Sequence, residues 1–175
     1  MIIGQRVPRR FFITVGKGES DVTVHAGSYH LALKDAGIEM CNIMQYSSIL
    51  PGIAEEVKEC GNLVHGAVME TIMAECSCEK GEMGTAGIIY GWLYDKVTEK
   101  KYGGIVCEYH GHKVKDEAAL ELREALQEIY FNGFSDAYFL RDEEMIIESI
   151  IPKKQYGTVI VSICFIDYEI PVIER

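Results

Sequence analysis

Gln45-Tyr46-Ser47-Ser48-Ile49-Leu50-Pro51-Gly52 sets two adjacent serines between a strand-like apolar run, Cys41 to Tyr46, and a proline–glycine pair. Taken alone, such a dipeptide reads as a strand leading into a polar turn. A serine hydroxyl is a weak nucleophile that needs a base or a strained electrophile beside it. One electrophile is always in reach, the carbonyl of the preceding residue. If a tight turn twists that peptide and the fold holds the strain, Ser48 Oγ attacks the Ser47 carbonyl and the acyl group moves from nitrogen to oxygen. Elimination of the ester and loss of ammonia then leave a pyruvoyl group at position 48. The chain is split into residues 1–47 and 48–175.

The rest of the chain is that of one ordinary domain with room for a sizeable core, at 175 residues and 19.7 kDa. A formal net charge of −10 argues against nucleic-acid or anionic-membrane partners, whose affinity rests on basic patches. The opening Met1-Ile2-Ile3-Gly4-Gln5-Arg6 lacks the apolar core of a signal peptide. Apolar runs elsewhere stay short of the roughly 18 residues of a spanning helix. A cytoplasmic protein is expected, with its six cysteines reduced. Cys76-Ser77-Cys78 is a close pair, but no second Cys or His pair completes a zinc site, so no metal is expected.

Outward from the serines, Arg9 to Val15 reads as a strand and Gly16 to Asp21 as a turn-rich loop. That loop lacks the spacing of a phosphate-binding loop. His25 to Asp35 reads as a helix capped by Gly37, and Ile38 to Tyr46 as a strand. Pro51 to Cys60 reads as irregular or briefly helical. Strands follow at Val68 to Cys78, Thr85 to Tyr94 and Gly103 to Tyr109, and short turns between them predict antiparallel neighbours. Lys115 to Phe131 carries Ala118, Leu122, Ala125, Leu126 and Ile129 at helical spacing. Two more strands, Ala137 to Ile151 and Gly157 to Ile170, complete an α+β pattern in a single domain, 1–175.

Tyr46-Ser47-Ser48-Ile49-Leu50-Pro51, Asn42 six residues before Ser48, His65-Gly66-Ala67-Val68-Met69-Glu70, Ile72-Met73-Ala74 and the Glu108-Tyr109 pair together resemble the pyruvoyl-dependent arginine decarboxylase family. The likeness runs from about Phe11 to near the C-terminus. It implies a four-layer αββα sandwich with antiparallel sheets, self-cleavage at Ser48, and decarboxylation of arginine to agmatine. It also implies trimers with active sites between subunits, and it puts the Gly16–Asp21 loop near the site. The pyruvoyl ketone accepts a substrate amine and takes up the electrons left when CO2 departs, the part pyridoxal phosphate plays elsewhere. No separately bound cofactor is needed.

Decarboxylation leaves a carbanion to be protonated, so an acid must lie in reach. Glu108 is the sole acid in the strand Gly103 to Tyr109. Apolar neighbours would keep it protonated near neutral pH, whereas strict alternation would turn it to water. The resemblance gives it the catalytic role beside Ser47 and Ser48. Asn42 shares a face with Ser48 if the strand stays extended, either orienting a carboxylate or carbonyl or bonding to backbone. Glu70 is a second acid in an apolar strand. One position departs from the family: its helical aspartate, which pairs with the substrate guanidinium, falls here on His30. A histidine cannot accept a bidentate guanidinium pair. Either Glu19, Asp21, Asp35 or Glu70 supplies that pairing, or the substrate is another amino acid. A third alternative is an oligomeric binding protein that never cleaves.

Overall fold

A computed structural model of the chain describes residues 2–58 and 60–173. Its N-terminal part runs β1 (Ile2–Ile3), β2 (Val7–Pro8), β3 (Arg10–Ser20), a π-helical stretch (Val24–Tyr29) continuing into α1 (His30–Asp35), then β4 (Asn42–Gln45), β5 (Ile49–Pro51) and β6 (Glu55–Glu56). There follow β7 (Val68–Glu79), β8 (Gly84–Asp95), β9 (Lys101–Gly111) and α2 (Lys115–Gly133). The chain ends with β10 (Tyr138–Ile150), β11 (Tyr156–Phe165), β12 (Tyr168–Glu169) and β13 (Val172–Ile173). Helices beside long, mainly antiparallel strands make this an α+β protein. No helix among the described residues is long and apolar enough to cross a membrane.

The strands form a five-stranded sheet, β4-β7-β11-β3-β6, and a four-stranded sheet, β10-β8-β9-β5. Two short ladders, β1 with β13 and β2 with β12, tie the chain ends together. The long ladders are antiparallel, but β4 on β7 and β6 on β3 are parallel edges. The Glu79-Lys80-Gly81 turn does not close the hairpin that its length predicts. It carries the chain from β7 in one sheet to β8 in the other, and the turn after β10 does the same in reverse. β7 and β8 are largely buried on both faces, so each is covered on either side and neither keeps the wet face of a surface hairpin.

Three apolar clusters hold these parts. Phe11, Leu50, Ile72, Ile88, Val106, Val161 and Phe165 mix residues of both sheets in one buried cluster. Phe12, Met69, Met73 and Ile160 meet Ala32 and Leu33 of α1 in a second. Ile89, Leu93, Ile105 and Cys107 meet Ala118, Leu122 and Leu126 of α2 in a third. Adjacent Phe11 and Phe12 fall into different clusters because successive strand residues face opposite sides.

The loop expected at Gly16–Asp21 is mostly strand, since β3 continues to Ser20. Its glycines serve packing. A Cβ on Gly16 would stand 2.0 Å from the Ala32 carbonyl oxygen, and one on Gly18 2.1 Å from that of Ser28. Bare backbone at both positions lets the helix lie directly on the strand. Gly37 ends that helix at φ +74°, with its N–H donating to Lys34 O and the Ile38 N–H to Leu33 O. The strand expected over Ile38 to Tyr46 is paired only from Asn42 to Gln45.

Candidate active site

Gln45 pairs with Thr71 in the five-stranded sheet, and Ile49 pairs with Ile105 in the four-stranded one. Tyr46, Ser47 and Ser48 therefore cross from sheet to sheet. Both ends of the crossing are tied: the Tyr46 N–H donates to Thr71 O at 2.7 Å, and the Val106 N–H donates to Ser48 O at 3.1 Å. Pro51 sits in β5 at the sheet edge, where its missing N–H costs no ladder bond.

Ser48 Oγ donates to Glu108 Oε1 at 2.5 Å. Glu108 follows Val106 by two along β9, and Val106 belongs to the cluster shared by the two sheets. Their common face turns Glu108 toward the same gap. Its carboxyl is half-buried, not on a solvent face. Burial raises its pKa above the ordinary carboxylate value, while the Ser48 hydroxyl, its own backbone N–H and the charge of His110 pull it back down. A hydroxyl nucleophile and a carboxylate base in such contact are the parts a proton-assisted acyl shift requires. Left-handed backbone is absent here: the described non-glycine residues at positive φ are Glu99 and Asp142.

The other expected site residues lie apart from this pair within one chain. Asn42 is exposed on β4, and its Nδ2 donates to Gly66 O at 2.9 Å. The strand does not stay extended to Ser48, so the shared face expected for Asn42 and Ser48 is lost: they belong to segments tied to different sheets. His30 is exposed at the start of α1, in a surface concavity of about 460 Å³ with His25, Tyr29 and Leu33. Glu70, 1 % exposed on β7, forms an ion pair with Arg6. The remaining acids weighed for a guanidinium are also engaged. Glu19 accepts from the Lys153 and Lys154 N–H groups, Asp21 from that of Gln155, and Asp35 from that of Lys17.

Sequence reasoning passed over Arg6, Tyr46 and Glu75. Glu75 is another acid in the apolar run of β7, the very signal that picked out Glu70 and Glu108. Burial raises its pKa, and it lies near Ser77, His25 and His110. Arg6 and Tyr46 carry no such signal, because their partners are distant in the chain.

The family model described as pyruvoyl-dependent arginine decarboxylase matches residues 10–170. The chain is 31 % identical over 125 residues to a pyruvoyl-dependent arginine decarboxylase of Methanocella arvoryzae, covering 70 % of this chain and 73 % of that protein. It is 37 % identical over 122 residues to the pyruvoyl-dependent arginine decarboxylase AaxB of Chlamydia abortus, covering 62 % of each. A Thermococcus kodakarensis protein of the same description is 27 % identical over 122 residues, covering 69 % of this chain and 73 % of its own. With the match running from residue 10 to residue 170, the chain belongs to the pyruvoyl-dependent arginine decarboxylase family.

Proposed function

We propose that the chain cuts itself between Ser47 and Ser48 and that the resulting enzyme decarboxylates arginine to agmatine and CO2. The observation that carries this is the 2.5 Å contact from Ser48 Oγ to Glu108 at the crossing between the sheets. Glu108 takes the hydroxyl proton as Oγ bonds to the Ser47 carbonyl carbon. The Ser47–Ser48 C–N bond breaks, and the proton ends on the freed amine. The ester that still joins the two residues is cut when Ser48 loses its Cα proton and expels the Ser47 carboxylate. Water then replaces the amine nitrogen, which leaves as ammonia. Backbone bonds at the Tyr46 N–H and the Ser48 carbonyl limit how far the crossing can move around the two reacting atoms.

Position 48 fits a pyruvoyl group, since its hydroxyl already has a base in reach and its peptide is pinned on both sides. That group supplies a ketone for a substrate amine and a sink for the electrons released with CO2. Glu108 then changes role. Once the serine hydroxyl is consumed, the contact that favours the carboxylate is gone and burial favours the protonated form. The residue that accepted a proton in cleavage is poised to donate one to the carbanion.

The three apolar clusters support a four-layer αββα sandwich, α1 and α2 outermost, folded as one domain. Trimers with sites between subunits fit the neighbouring β-strand edges: β7 past Thr71 and β9 past Val106 have no further strand partner on that side among the described residues. Six unpaired thiols suit the cytoplasm. A second reading, decarboxylation of a different amino acid, is favoured by His30 at the family's aspartate position. CO2 release from a panel of amino acids separates the two.

Intact mass tests the cleavage. Wild type should give fragments 1–47 and 48–175, and Ser48→Ala should stay full-length and inactive. Two fragments from Ser48→Ala would sink the assignment.

A further inference from the structure

The serine crossing closes one end of an open gap between two strand edges. β4 leaves β7 at Thr71 and β5 leaves β9 at Ile105, and past the crossing neither long strand has a further strand on that side among the described residues. Both edges are tied to the crossing, Thr71 by the Tyr46 N–H and Val106 by the Ser48 carbonyl. Farther along they are tied to each other, where the Cys76 thiol donates to Gly111 O at 3.2 Å. Thr71 to Cys76 and Val106 to Gly111 are stretches of equal length, so the two edges run side by side and Glu75 comes level with His110. Ser48 and Glu108 stand nearer the crossing, with Glu108 two residues of extended strand from His110, roughly 7 Å.

Glu75 is an acid without a cation of its own. It is half-buried and shares a face of β7 with Met73 and Ser77. Met73 packs in the cluster of Leu33, while Ser77 Oγ reaches Ser28 through Thr158 Oγ1, over contacts of 3.0 and 2.8 Å. Between those two anchors Glu75 lies beside the helical segment that carries His25 and Tyr29, whose rings stack at 5.8 Å. The hydrogen bond it accepts, from the Ser77 hydroxyl, is a long 3.4 Å. No lysine or arginine among the described residues pairs with it. Burial raises its pKa, and the Ser77 hydroxyl and the charges of His25 and His110 act against that rise, as a cationic ligand would. Resting on the reading that Ser48 becomes the pyruvoyl group of an arginine decarboxylase, we propose that Glu75 is a specificity-determining residue, its carboxylate taking the substrate guanidinium at the far end of this gap. The step from Glu108 to the level of Glu75 is on the scale of an arginine side chain between its α-carbon and its guanidinium. A carboxylate beside stacked rings suits a planar cation, which can pair with the one and lie against the other. The acid that His30 cannot provide then comes from β7 instead of α1.

The experiment compares arginine with citrulline, whose neutral ureido group has the shape of a guanidinium without its charge. The full chain is used after self-cleavage, and CO2 release per cleaved chain gives kcat and KM for each compound. Where citrulline reacts too slowly, its inhibition constant against arginine stands in for KM. Wild type should favour arginine. Glu75→Gln keeps the shape and removes the charge, and should raise KM for arginine by about ten- to a hundredfold, the worth of a charge-assisted hydrogen bond. The constant for citrulline should stay within a few-fold of wild type, so that the preference for arginine collapses. A Glu75 that only braces β7 would weaken both compounds alike. That result overturns the assignment, and so does an unchanged preference for arginine. If Glu75→Gln fails to fold, Glu75→Asp keeps the charge and withdraws it by one methylene. It must then raise KM for arginine more than the constant for citrulline, and an equal change in both overturns the assignment. Cleaved wild type that releases no CO2 from arginine overturns the parent reading itself.

Discussion

At Glu108 two influences oppose each other, burial raising the pKa and the Ser48 hydroxyl lowering it. Cleavage removes the second. An acid that must be protonated to act stays active to higher pH when its pKa is raised, and loses activity as pH climbs through that value. The kcat/KM of cleaved wild type should therefore fall on the alkaline side of a limb set above the ordinary carboxylate value. Glu108→Gln, once cleaved, should turn over about 100- to 10,000-fold more slowly, the usual worth of a general acid. The limb should vanish with it. A cleaved Glu108→Gln protein with near-normal turnover and the same alkaline limb would mean that another group donates the proton. Stability follows the same sign. The raised carboxyl contributes most below its unfolded-state pKa, and that contribution is lost as pH rises through the folded value.

Between β3 and α1 the packing depends on missing side chains. A methyl on Gly16 would meet the Ala32 carbonyl oxygen and the Ala36 nitrogen at 2.0 and 2.8 Å, both backbone atoms that move only if the helix moves. Gly16→Ala should destabilise the protein by about 1–3 kcal/mol, the usual cost of forcing extra volume into a packed site. In a chain of this length that lowers Tm by about 2–4 °C for each kcal/mol. Gly133→Ala is the control, because nothing lies within 4 Å of its added Cβ. A thermal melt that ranks the two variants equally would contradict the helix-on-strand contact. His30 rides on this same helix, so any slide of α1 also moves the one position that departs from the family pattern.

The predicted cut falls in a place that leaves the whole molecule interlocked. Fragment 1–47 contributes β3, which pairs with β11 from Phe11 opposite Phe165 to Ser20 opposite Tyr156. It also contributes β4, laid on β7. Phe11 and Phe12 anchor two of the three apolar clusters. The cut ends should therefore stay together without a covalent bond. Native mass spectrometry of cleaved protein should show both fragments in every particle, parting only in denaturant. Fragment 48–175 found alone in native buffer would show that β3 is not the interior strand described.

The long elements were legible in the sequence. Val68 to Cys78 and Lys115 to Phe131 became Val68–Glu79 and Lys115–Gly133, because a continuous apolar run or a 3.6-residue period states local conformation directly. The serine pair and Glu108 were singled out by the family resemblance, since residue types alone left Ser47-Ser48 a polar turn and Glu108 equally able to face water. Pairing was not legible. Hydropathy says that a residue of β7 or β8 is buried but not against what, so two strands joined by a tight turn looked like a hairpin and instead lie in different sheets. Gly16 and Gly18 carry the same letters in a turn as in a close contact, and the neighbour that tells them apart comes from α1. Its place in an apolar strand makes Glu70 a candidate substrate contact, and nothing in the sequence signals that Arg6 of the N-terminal arm lies against it. Ser48 meets Glu108 for the same reason that Glu70 meets Arg6: each contact joins groups far apart along the chain. What can react or must be buried is written in the residues, while which groups meet is decided by how the two sheets and the arm close on one another.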